Sequence, residues 1–207
     1  MTTLVIDTSL GACQVGLFEA ARLVAGASEP MERGHQERLA PMAAELMAGR
    51  SFADIRKLVA TVGPGSFTGL RVGLAFAKGL QLATGAPLAG VGTLQALAAS
   101  ADGAAGAGVI DARRGLVYVQ AFAAGEALGP PDIVPIAEAA QRLGALENLT
   151  LVGPGAPLLA GALPDAKLDP RPAPDLGQLG RLAELANPAP DLRPLYLRAP
   201  DARPMAP

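Results

Sequence analysis

The side chains best suited to catalysis are scarce in this chain. Its 207 residues include one histidine, His35, and one cysteine, Cys13. A zinc peptidase of the His-Glu-x-x-His type needs a second histidine on the same helix face, but Leu39 stands four residues after His35. The Gly-x-Ser-x-Gly motif of a serine hydrolase is also absent. These residues give no support to a peptidase, and we predict no metal site.

A glycine-rich loop, Gly63-Pro64-Gly65-Ser66, raises the question of phosphate binding. A P-loop needs Lys and then Ser or Thr after its last glycine, but Gly69 is followed by Leu70-Arg71. A dinucleotide-binding fingerprint needs a third glycine where Thr68 stands. Backbone amides at a helix start can still hold an anion, so weak phosphate binding stays open.

Two aspartates end similar predicted strands, Val5-Ile6-Asp7 and Val109-Ile110-Asp111. Asp7 could hold magnesium in a nucleotide-dependent phosphotransferase that also uses Gly65 and Ser66, with Asp111 as its counterpart in a duplicated fold. The alternative is that each carboxylate bonds turn amides at its strand end, and we favour this alternative.

The elements that position these residues alternate between strands and helices in the first hundred residues. We predict three strands at Thr3 to Asp7, Cys13 to Phe18 and Arg22 to Ala27, and then a helix at Leu39 to Met47. A strand at Lys57 to Val62 and a helix from Ser66 or Thr68 to Thr84 follow, and a last strand and helix close near Ala101. Pro41 predicts that the first helix begins near Ala40 or is kinked there.

The second half of the chain repeats the pattern of the first. Leu149 to Gly155, LTLVGPG, matches ATVGPG at Ala60 to Gly65, and both follow a Val-Ile-Asp strand. These matches predict a duplicated domain, with lobes at 1–101 and 102–207. The small residues of Asp102 to Gly108 predict a hinge between the lobes. Further predicted elements are strands at Val109 to Asp111 and Leu116 to Phe122, and helices at about Ala137 to Leu146 and Leu176 to Ala186.

The proline-rich tail, Asn187 to Pro207, is expected to be extended. We predict that Leu195-Tyr196-Leu197 docks on the rest of the chain and that the remaining tail is loose. This prediction allows the tail to pack back on the first lobe, although it follows the second lobe in sequence.

The predicted second helix carries two rows of small residues spaced four apart. Gly69, Gly73 and Ala77 form one row, and Ala75, Gly79 and Ala83 form the other. Because a glycine inside a helix costs about 0.5–1 kcal/mol relative to alanine, close approach of another backbone should compensate for it. That backbone belongs either to the sheet beneath the helix or to the helix of a partner.

Composition limits the class of protein. A net charge of −2 and a pI near 5.4 do not favour a chain whose main role is nucleic-acid binding. One cysteine excludes an internal disulfide and fits the reducing cytoplasm, and no secretory signal opens the sequence. The uncharged stretch Gly79 to Ala101 contains proline, glutamines and glycines, so we interpret it as core rather than as a membrane span.

Several motifs together resemble one family. Val62 to Leu80, VGPGSFTGLRVGLAFAKGL, is similar to the signature of the TsaB family, also called YeaZ. IDTS at Ile6 to Ser9, GHQERLAP at Gly34 to Pro41, DARRG at Asp111 to Gly115 and PLYLR at Pro194 to Arg198 resemble further family motifs in the same order. The resemblance covers nearly the whole chain.

The resemblance implies a duplicated actin-like, Hsp70-like ATPase fold of the ribonuclease H-like type, α/β, with two βββαβαβα lobes and mixed sheets. It implies a non-catalytic subunit that activates TsaD, the enzyme that transfers threonylcarbamoyl to adenosine 37 of tRNAs reading codons that begin with A. TsaE, an ATPase, completes that assembly. No cofactor is expected to bind this chain alone, ATP or ADP is expected only within the assembly, and tRNA is expected to reach this chain only indirectly.

The resemblance also implies where partners bind. The first two helices form a bundle with TsaD or with a second copy of the chain, and the residues expected in that interface are His35, Leu39, Met42, Leu46, Gly69, Leu70, Gly73, Phe76, Ala77 and Leu80. Two positions depart from the family, which commonly has Ser where Gln36 stands and Glu where Leu116 stands. Alternatives to the partner role are a small phosphotransferase of the same fold and a stand-alone regulatory homodimer.

Overall fold

The computed structural model describes residues 1–198, and their strands lie in two mixed β-sheets. The first half of the chain contains β1 (Thr2–Asp7), β2 (Ala12–Glu19), β3 (Arg22–Pro30), α1 (His35–Leu46), β4 (Lys57–Gly63), α2 (Phe67–Thr84), β5 (Leu88–Gly92) and α3 (Thr93–Ala98). A short 3-10 turn at Phe52–Asp54 precedes β4. The predicted order βββαβαβα is confirmed.

The second half contains fewer and shorter helices. Its elements are β6 (Ala105–Arg113), β7 (Leu116–Ala123), β8 (Glu126–Ala127), β9 (Asp132–Pro135), α4 (Ile136–Leu143), β10 (Leu149–Val152), β11 (Lys167–Asp169) and α5 (Leu176–Leu185). A four-residue 3-10 turn, Ala156–Leu159, stands where the first half has the long helix α2. The second copy is therefore the shorter one, as the sequence predicts.

The two sheets share one topology. The first has the strand order β3-β2-β1-β4-β5, and the second has β11-β10-β6-β7, with β8 and β9 pairing with β7. In the first sheet β1 is antiparallel to β2 and parallel to β4, and in the second sheet β6 is antiparallel to β7 and parallel to β10. β4 and β10 are the strands that lead into the two VGPG motifs. Gly63 and Gly153, the first glycines of the two VGPG motifs, adopt φ of +111° and +117°. The duplicated fold is confirmed by this shared order and by the shared turn.

Helices cover the first sheet on both faces. Leu4 and Ile6 pack with Leu39 and Met42 of α1 in one core cluster. Val5, between them, packs instead with residues of α5 in another. The alternation follows from the two-residue period of a strand, which sends neighbouring side chains to opposite faces.

The last helix crosses over to the first lobe. Leu179 and Ala183 of α5 pack against Phe18 and Val59 of the first sheet. Contacts also run in the opposite direction, because Leu94 and Leu97 of α3, the helix that follows the first sheet in sequence, pack with residues of the second sheet. The lobe boundaries at residues 101 and 102 stay a prediction, but α5 lies against the first lobe rather than the second.

The predicted hinge at Asp102 to Gly108 is wrong for its second half. Residues 105–108 are buried in β6, between β7 and β10. Their small size has a packing cause, because a Cβ added to Gly108 would lie 2.2 Å from the carbonyl oxygen of Leu94 in α3. A segment of small residues thus resembles a linker in sequence, yet here it lets a helix lie directly on a strand.

Helix α1 begins earlier than its apolar face suggests. It starts at His35 and continues through Pro41 to Leu46. Pro41 removes the amide that would bond the carbonyl of Glu37, but both residues are exposed, so water can satisfy that carbonyl. Of the two alternatives, a start near Ala40 is therefore wrong, and a kink at Pro41 stays a prediction.

The tail docks on the first lobe. The amide of Leu195 donates to the carbonyl of Val62 at 2.7 Å, and Pro188 forms an isolated bridge with Ala89 of the edge strand β5. These contacts confirm the predicted docking near Leu195. The prediction that the rest of the tail is loose is wrong for its first part, because the Ala189 amide also donates to the Leu88 carbonyl at 2.9 Å and Leu192 packs against the first core cluster. Residues 199–207, to which the same prediction applies, lie outside the described residues.

Within residues 1–198 none of the helices combines the length and the apolar character that a membrane crossing requires.

Candidate functional site

Asp7 is completely buried and forms four hydrogen bonds within the chain. Its Oδ1 accepts from the Ser9 amide at 3.0 Å, from Ser9 Oγ at 2.6 Å and from Thr61 Oγ1 at 2.7 Å. Its Oδ2 accepts from Gln14 Nε2 at 3.0 Å, and the same amide nitrogen donates to the Pro174 carbonyl. The carboxylate thus links β1, β2, β4 and the segment before α5.

The start of α2 lies against the β1–β2 turn. The Ser66 amide donates to the Ser9 carbonyl at 2.7 Å, while Ser66 Oγ caps α2 by accepting from the Gly69 amide at 3.2 Å. A Cβ on Gly65 would lie 2.2 Å from the same Ser9 carbonyl oxygen. The backbone of the turn therefore occupies the place where a phosphate would meet the loop.

The three candidate nucleotide residues come together, but they do not fit a nucleotide phosphate. Asp7 is engaged by donors of the chain, the Ser66 amide is already bonded, and Gly65 has no space above it. Binding of ATP or ADP within an assembly stays a prediction. The geometry gives Asp7 a structural role. This is the alternative favoured from the sequence, in which the carboxylate bonds turn amides at its strand end.

Asp111 is the counterpart of Asp7 in the second sheet and has the same kind of contact. Its Oδ1 accepts from the Arg113 amide at 2.7 Å, two residues on, as Asp7 accepts from Ser9. Asp111 also forms an ion pair with Arg113 at 3.2 Å. Both aspartates thus bond turn amides at a strand end.

His35 and Cys13 are buried in the first lobe. His35 opens α1, and its Nε2 has no hydrogen-bond partner within residues 1–198. Burial, together with the negative charges of Glu29 and Asp7, raises the pKa of Cys13 from 9.0 to about 11. Among the described residues no three His, Cys, Asp or Glu side chains lie close enough to hold a metal ion.

An ion-pair network fixes α1 beside the edge strand of the first sheet. Arg38 of α1 bonds Glu29 of β3 at 2.5 Å and Glu45, two turns further along α1, at 2.9 Å. Hydrogen bonds from Arg38 hold the pKa of both glutamates below its ordinary value. Because all three groups are partly or largely exposed, the network orients the helix more than it stabilises the fold.

The first row of small residues on α2 faces inward. A Cβ on Gly69 would lie 2.0 Å from the Thr8 carbonyl oxygen, and one on Gly73 would lie 2.4 Å from Thr8 Oγ1. Thr8 Oγ1 in turn donates to the Gly69 carbonyl at 2.7 Å. The close neighbour that compensates for these glycines is therefore Thr8 of the chain's own β1–β2 turn, through its backbone at Gly69 and its side chain at Gly73, rather than a partner's helix.

Burial divides the residues that the resemblance implies for the partner interface. His35, Leu39, Met42, Gly69, Leu70, Gly73 and Ala77 are buried within the chain. Leu46, Phe76 and Leu80 are half-buried at the margins of the two helices and pack against the core. The inward seven have neighbours in this chain, so a partner would meet the opposite faces of the helices.

Those opposite faces carry two exposed rows of small residues. On α2 the row is Ala75, Gly79 and Ala83, beside Leu82, whose surface is 88% exposed. On α1 and just past its end the row is Ala40, Ala44 and Ala48. We call these six residues and Leu82 the small-residue face.

The sequence shows the spacing of these small residues, but it does not show which row of α2 faces solvent. The row on α2 is visible in the spacing, and the row on α1 has the same spacing of four. Which row of α2 faces the core depends on Thr8, a residue distant in sequence, so spacing alone leaves both faces possible.

Comparisons with known proteins agree with this fold. The family model of TsaD, tRNA N6-adenosine threonylcarbamoyltransferase, matches residues 29–164. The tRNA threonylcarbamoyladenosine biosynthesis protein TsaB of Escherichia coli is 40% identical over 57% of this chain and 53% of that protein. In that match the chain spans about half the length of its relative. An uncharacterized protein of Mycobacterium tuberculosis is 36% identical over 99% of this chain and 95% of its own.

Solved structures show the same architecture. YeaZ from Pseudomonas aeruginosa matches with a TM-score of 0.79 and 28% identity, over 95% of this chain and 99% of that one. The ROK hexokinase of Thermus thermophilus matches with a TM-score of 0.50 and 16% identity, over 90% of this chain and 98% of that one, which shows an actin-like ATPase fold and nothing of activity. From the named relatives and the structural match together, the chain belongs to the TsaB family, also called YeaZ.

Proposed function

We propose that this chain is a non-catalytic subunit that binds and activates TsaD in the threonylcarbamoyladenosine modification of tRNA. The small-residue face is the observation that carries the proposal. Alanine and glycine rows spaced four apart let a second helix approach closely, and the neighbouring helices α1 and α2 both offer such a row. Leu82 adds an exposed apolar side chain to the same face.

The interior of the chain supports a non-catalytic role. Asp7, the best candidate for a catalytic carboxylate, accepts four hydrogen bonds from its own chain. The relatives are named for a biosynthetic pathway that modifies tRNA, and the matching family model describes its transferase. An inactive member of the same duplicated fold suits a partner of that enzyme.

The proposal extends to the rest of the assembly. We expect ATP or ADP to bind in a complex with TsaD and TsaE rather than to this chain alone, since Ser9 closes the loop at Gly65 and Ser66. A homodimer through the small-residue face competes with the heterodimer, because one apolar face can meet either partner.

The test is a transfer assay with purified components. TsaD, the threonylcarbamoyl-adenylate donor, TsaE with ATP and an unmodified tRNA transcript are incubated with and without this chain. We expect modification of the transcript only when the chain is present. Equal modification in its absence would contradict the activating role.

A further inference from the structure

An arginine and two aromatic rings form an exposed cluster at the start of α2. The guanidinium carbon of Arg71 lies 3.7 Å from the centroid of the Phe67 ring, and its Nε donates to the Tyr196 hydroxyl at 3.0 Å. The two ring centroids are 5.2 Å apart, with an interplanar angle of 34°. We call Phe67, Arg71 and Tyr196 the aromatic cluster.

Both rings remain open to solvent although the tail is fastened on either side of Tyr196. The surfaces of Phe67 and Tyr196 are 47% and 42% exposed. The Leu195 amide bonds the Val62 carbonyl at 2.7 Å, and Arg198 Nη1 donates to the Ala112 carbonyl at 3.2 Å. Two other contacts thus already hold the tail, and the exposed surface of the rings is available to a ligand.

The surroundings of the cluster are basic. Arg198 lies two residues after Tyr196, which in an extended chain is about 7 Å. Its contact with Ala112 brings the turn at Arg113 and Arg114 to the same region. With Arg71 this makes four arginines in this part of the described structure, one of which, Arg113, pairs with Asp111, in a chain whose net charge is −2. The charge points to a polyanion.

We propose that the aromatic cluster binds an unpaired base of single-stranded RNA, with Arg71 and the neighbouring arginines contacting its flanking phosphates. Proteins that bind unpaired RNA stack bases on aromatic rings and guanidinium planes and neutralise phosphates with arginine. The identification of the polyanion as the tRNA substrate rests on the proposed function. Under this proposal tRNA contacts the chain directly, whereas the resemblance implies only indirect contact.

The position of the cluster favours RNA over a protein partner. The small-residue face begins at Ala75, one turn beyond Arg71, and it is apolar and uncharged. The aromatic cluster instead combines flat rings with the positive charge of arginines, which suits a base and its phosphates better than an apolar helix. A partner on the small-residue face and an RNA on the cluster can occupy α2 together.

The test is equilibrium binding of a fluorescent RNA hairpin with an unpaired loop, measured by anisotropy. The chain is used alone and as its complex with TsaD, and a blunt duplex of the same stem serves as the probe without unpaired bases. The variants are Tyr196→Leu and Phe67→Leu, which remove a ring, and Tyr196→Phe and Phe67→Tyr, which keep it. Arg71→Gln is matched by Arg56→Gln, an exposed arginine before β4, at the opposite end of that strand.

The expected result is a loss of about ten-fold or more in hairpin affinity for each leucine variant, as for removal of one stacking partner. The ring-keeping variants should stay within about two-fold, and the duplex should bind weakly throughout. Arg71→Gln should lower the slope of log affinity against log salt by about 0.7, the value for one phosphate contact on a single strand, whereas Arg56→Gln should leave the slope unchanged.

Two results obtained with folded leucine variants would overturn the proposal. One is unchanged hairpin affinity in leucine variants that remain folded by circular dichroism. The other is loss of TsaD binding in those variants without loss of RNA affinity, which would make the cluster a protein contact. If a leucine variant does not fold, equal binding of hairpin and duplex by the wild-type chain decides against the proposal. Failure of the proposed function appears separately, as absence of a TsaD complex.

Discussion

Buried polar contacts of single residues hold the lobe together at the β1–β2 turn. Asp7 anchors that turn through Ser9 and reaches β4 through Thr61. Asp7→Asn replaces an accepting oxygen with a donating NH2 group opposite donors. We expect the free energy of unfolding to fall by about 1–3 kcal/mol.

Urea denaturation checks this expectation, with the exposed Asp165→Asn as the matched control. A stable Asp7→Asn protein that loses a nucleotide-dependent activity would instead favour the phosphotransferase alternative.

Replacing a glycine with alanine should change the stability of the chain in opposite directions in the two rows of small residues on α2. Gly73→Ala pushes a methyl group against Thr8 Oγ1 and is expected to destabilise the chain by about 1–3 kcal/mol. Gly79 has no atom within 4 Å of an added Cβ, so Gly79→Ala should stabilise the helix by about 0.5–1 kcal/mol. Urea midpoints of both variants measure the difference, and the same sign in both would contradict the assignment of the rows.

Cys13 should be unreactive in the folded chain. Burial raises its pKa to about 11, so the thiolate is scarce at pH 8 and the sulfur is inaccessible. A group whose pKa is raised by folding contributes stability that is present below its unfolded pKa, near 9.0, and is lost as pH rises toward 11.

We therefore expect alkylation to require unfolding, and stability to fall between these two pH values more in the wild type than in Cys13→Ala. Thiol titration with and without urea measures the first effect. Rapid labelling of the native protein at pH 8 would contradict it.

Helix α5 depends on a lysine of the strand beneath it. The buried Lys57 of β4 donates through Nζ to the carbonyls of Ala183 at 2.6 Å and Glu184 at 3.4 Å, at the carboxyl end of α5. Such a contact satisfies terminal carbonyls and complements the helix dipole.

Lys57→Met should lower stability by about 1–2 kcal/mol and speed amide exchange in α5 more than in α2. The exposed Lys167→Met in β11 is the control. Exchange that rises equally in both helices would show that Lys57 does not act on α5 in particular.

Periodicity and local motifs predict most elements of this chain, but not the contacts between distant ones. The first lobe's order follows from strand and helix patterns, and the repeated VGPG predicts the duplication. The placement of α5 on the first sheet could not be predicted, because it depends on Phe18 and Val59, far away in sequence. The strand at Ala105 looked like a hinge because α3 demands small residues there.

The same limit applies to the candidate site. Asp7, Gly65 and Ser66 are grouped by motif, yet nothing in the IDTS motif shows that its last residue, Ser9, closes the loop at Gly65 and Ser66. The aromatic cluster joins residues 67, 71 and 196, whose proximity depends on how the tail docks.

The interior and the surface of the duplicated fold have different roles. In the proposed function its interior polar groups stabilise the chain, and its exposed helices offer a surface to a partner. The second lobe has only a 3-10 turn in place of α2, so the small-residue face has no counterpart there. Association should therefore depend on the first lobe alone.

The most direct measurement is size-exclusion chromatography with light scattering of the chain mixed with TsaD, comparing wild type, Gly79→Leu and Gly161→Leu. Both glycines are exposed with open space around them, but Gly161 lies in the second lobe. We expect wild type and Gly161→Leu to co-elute with TsaD, and folded Gly79→Leu to elute apart from it. Co-elution of Gly79→Leu with undiminished affinity would contradict association through the small-residue face.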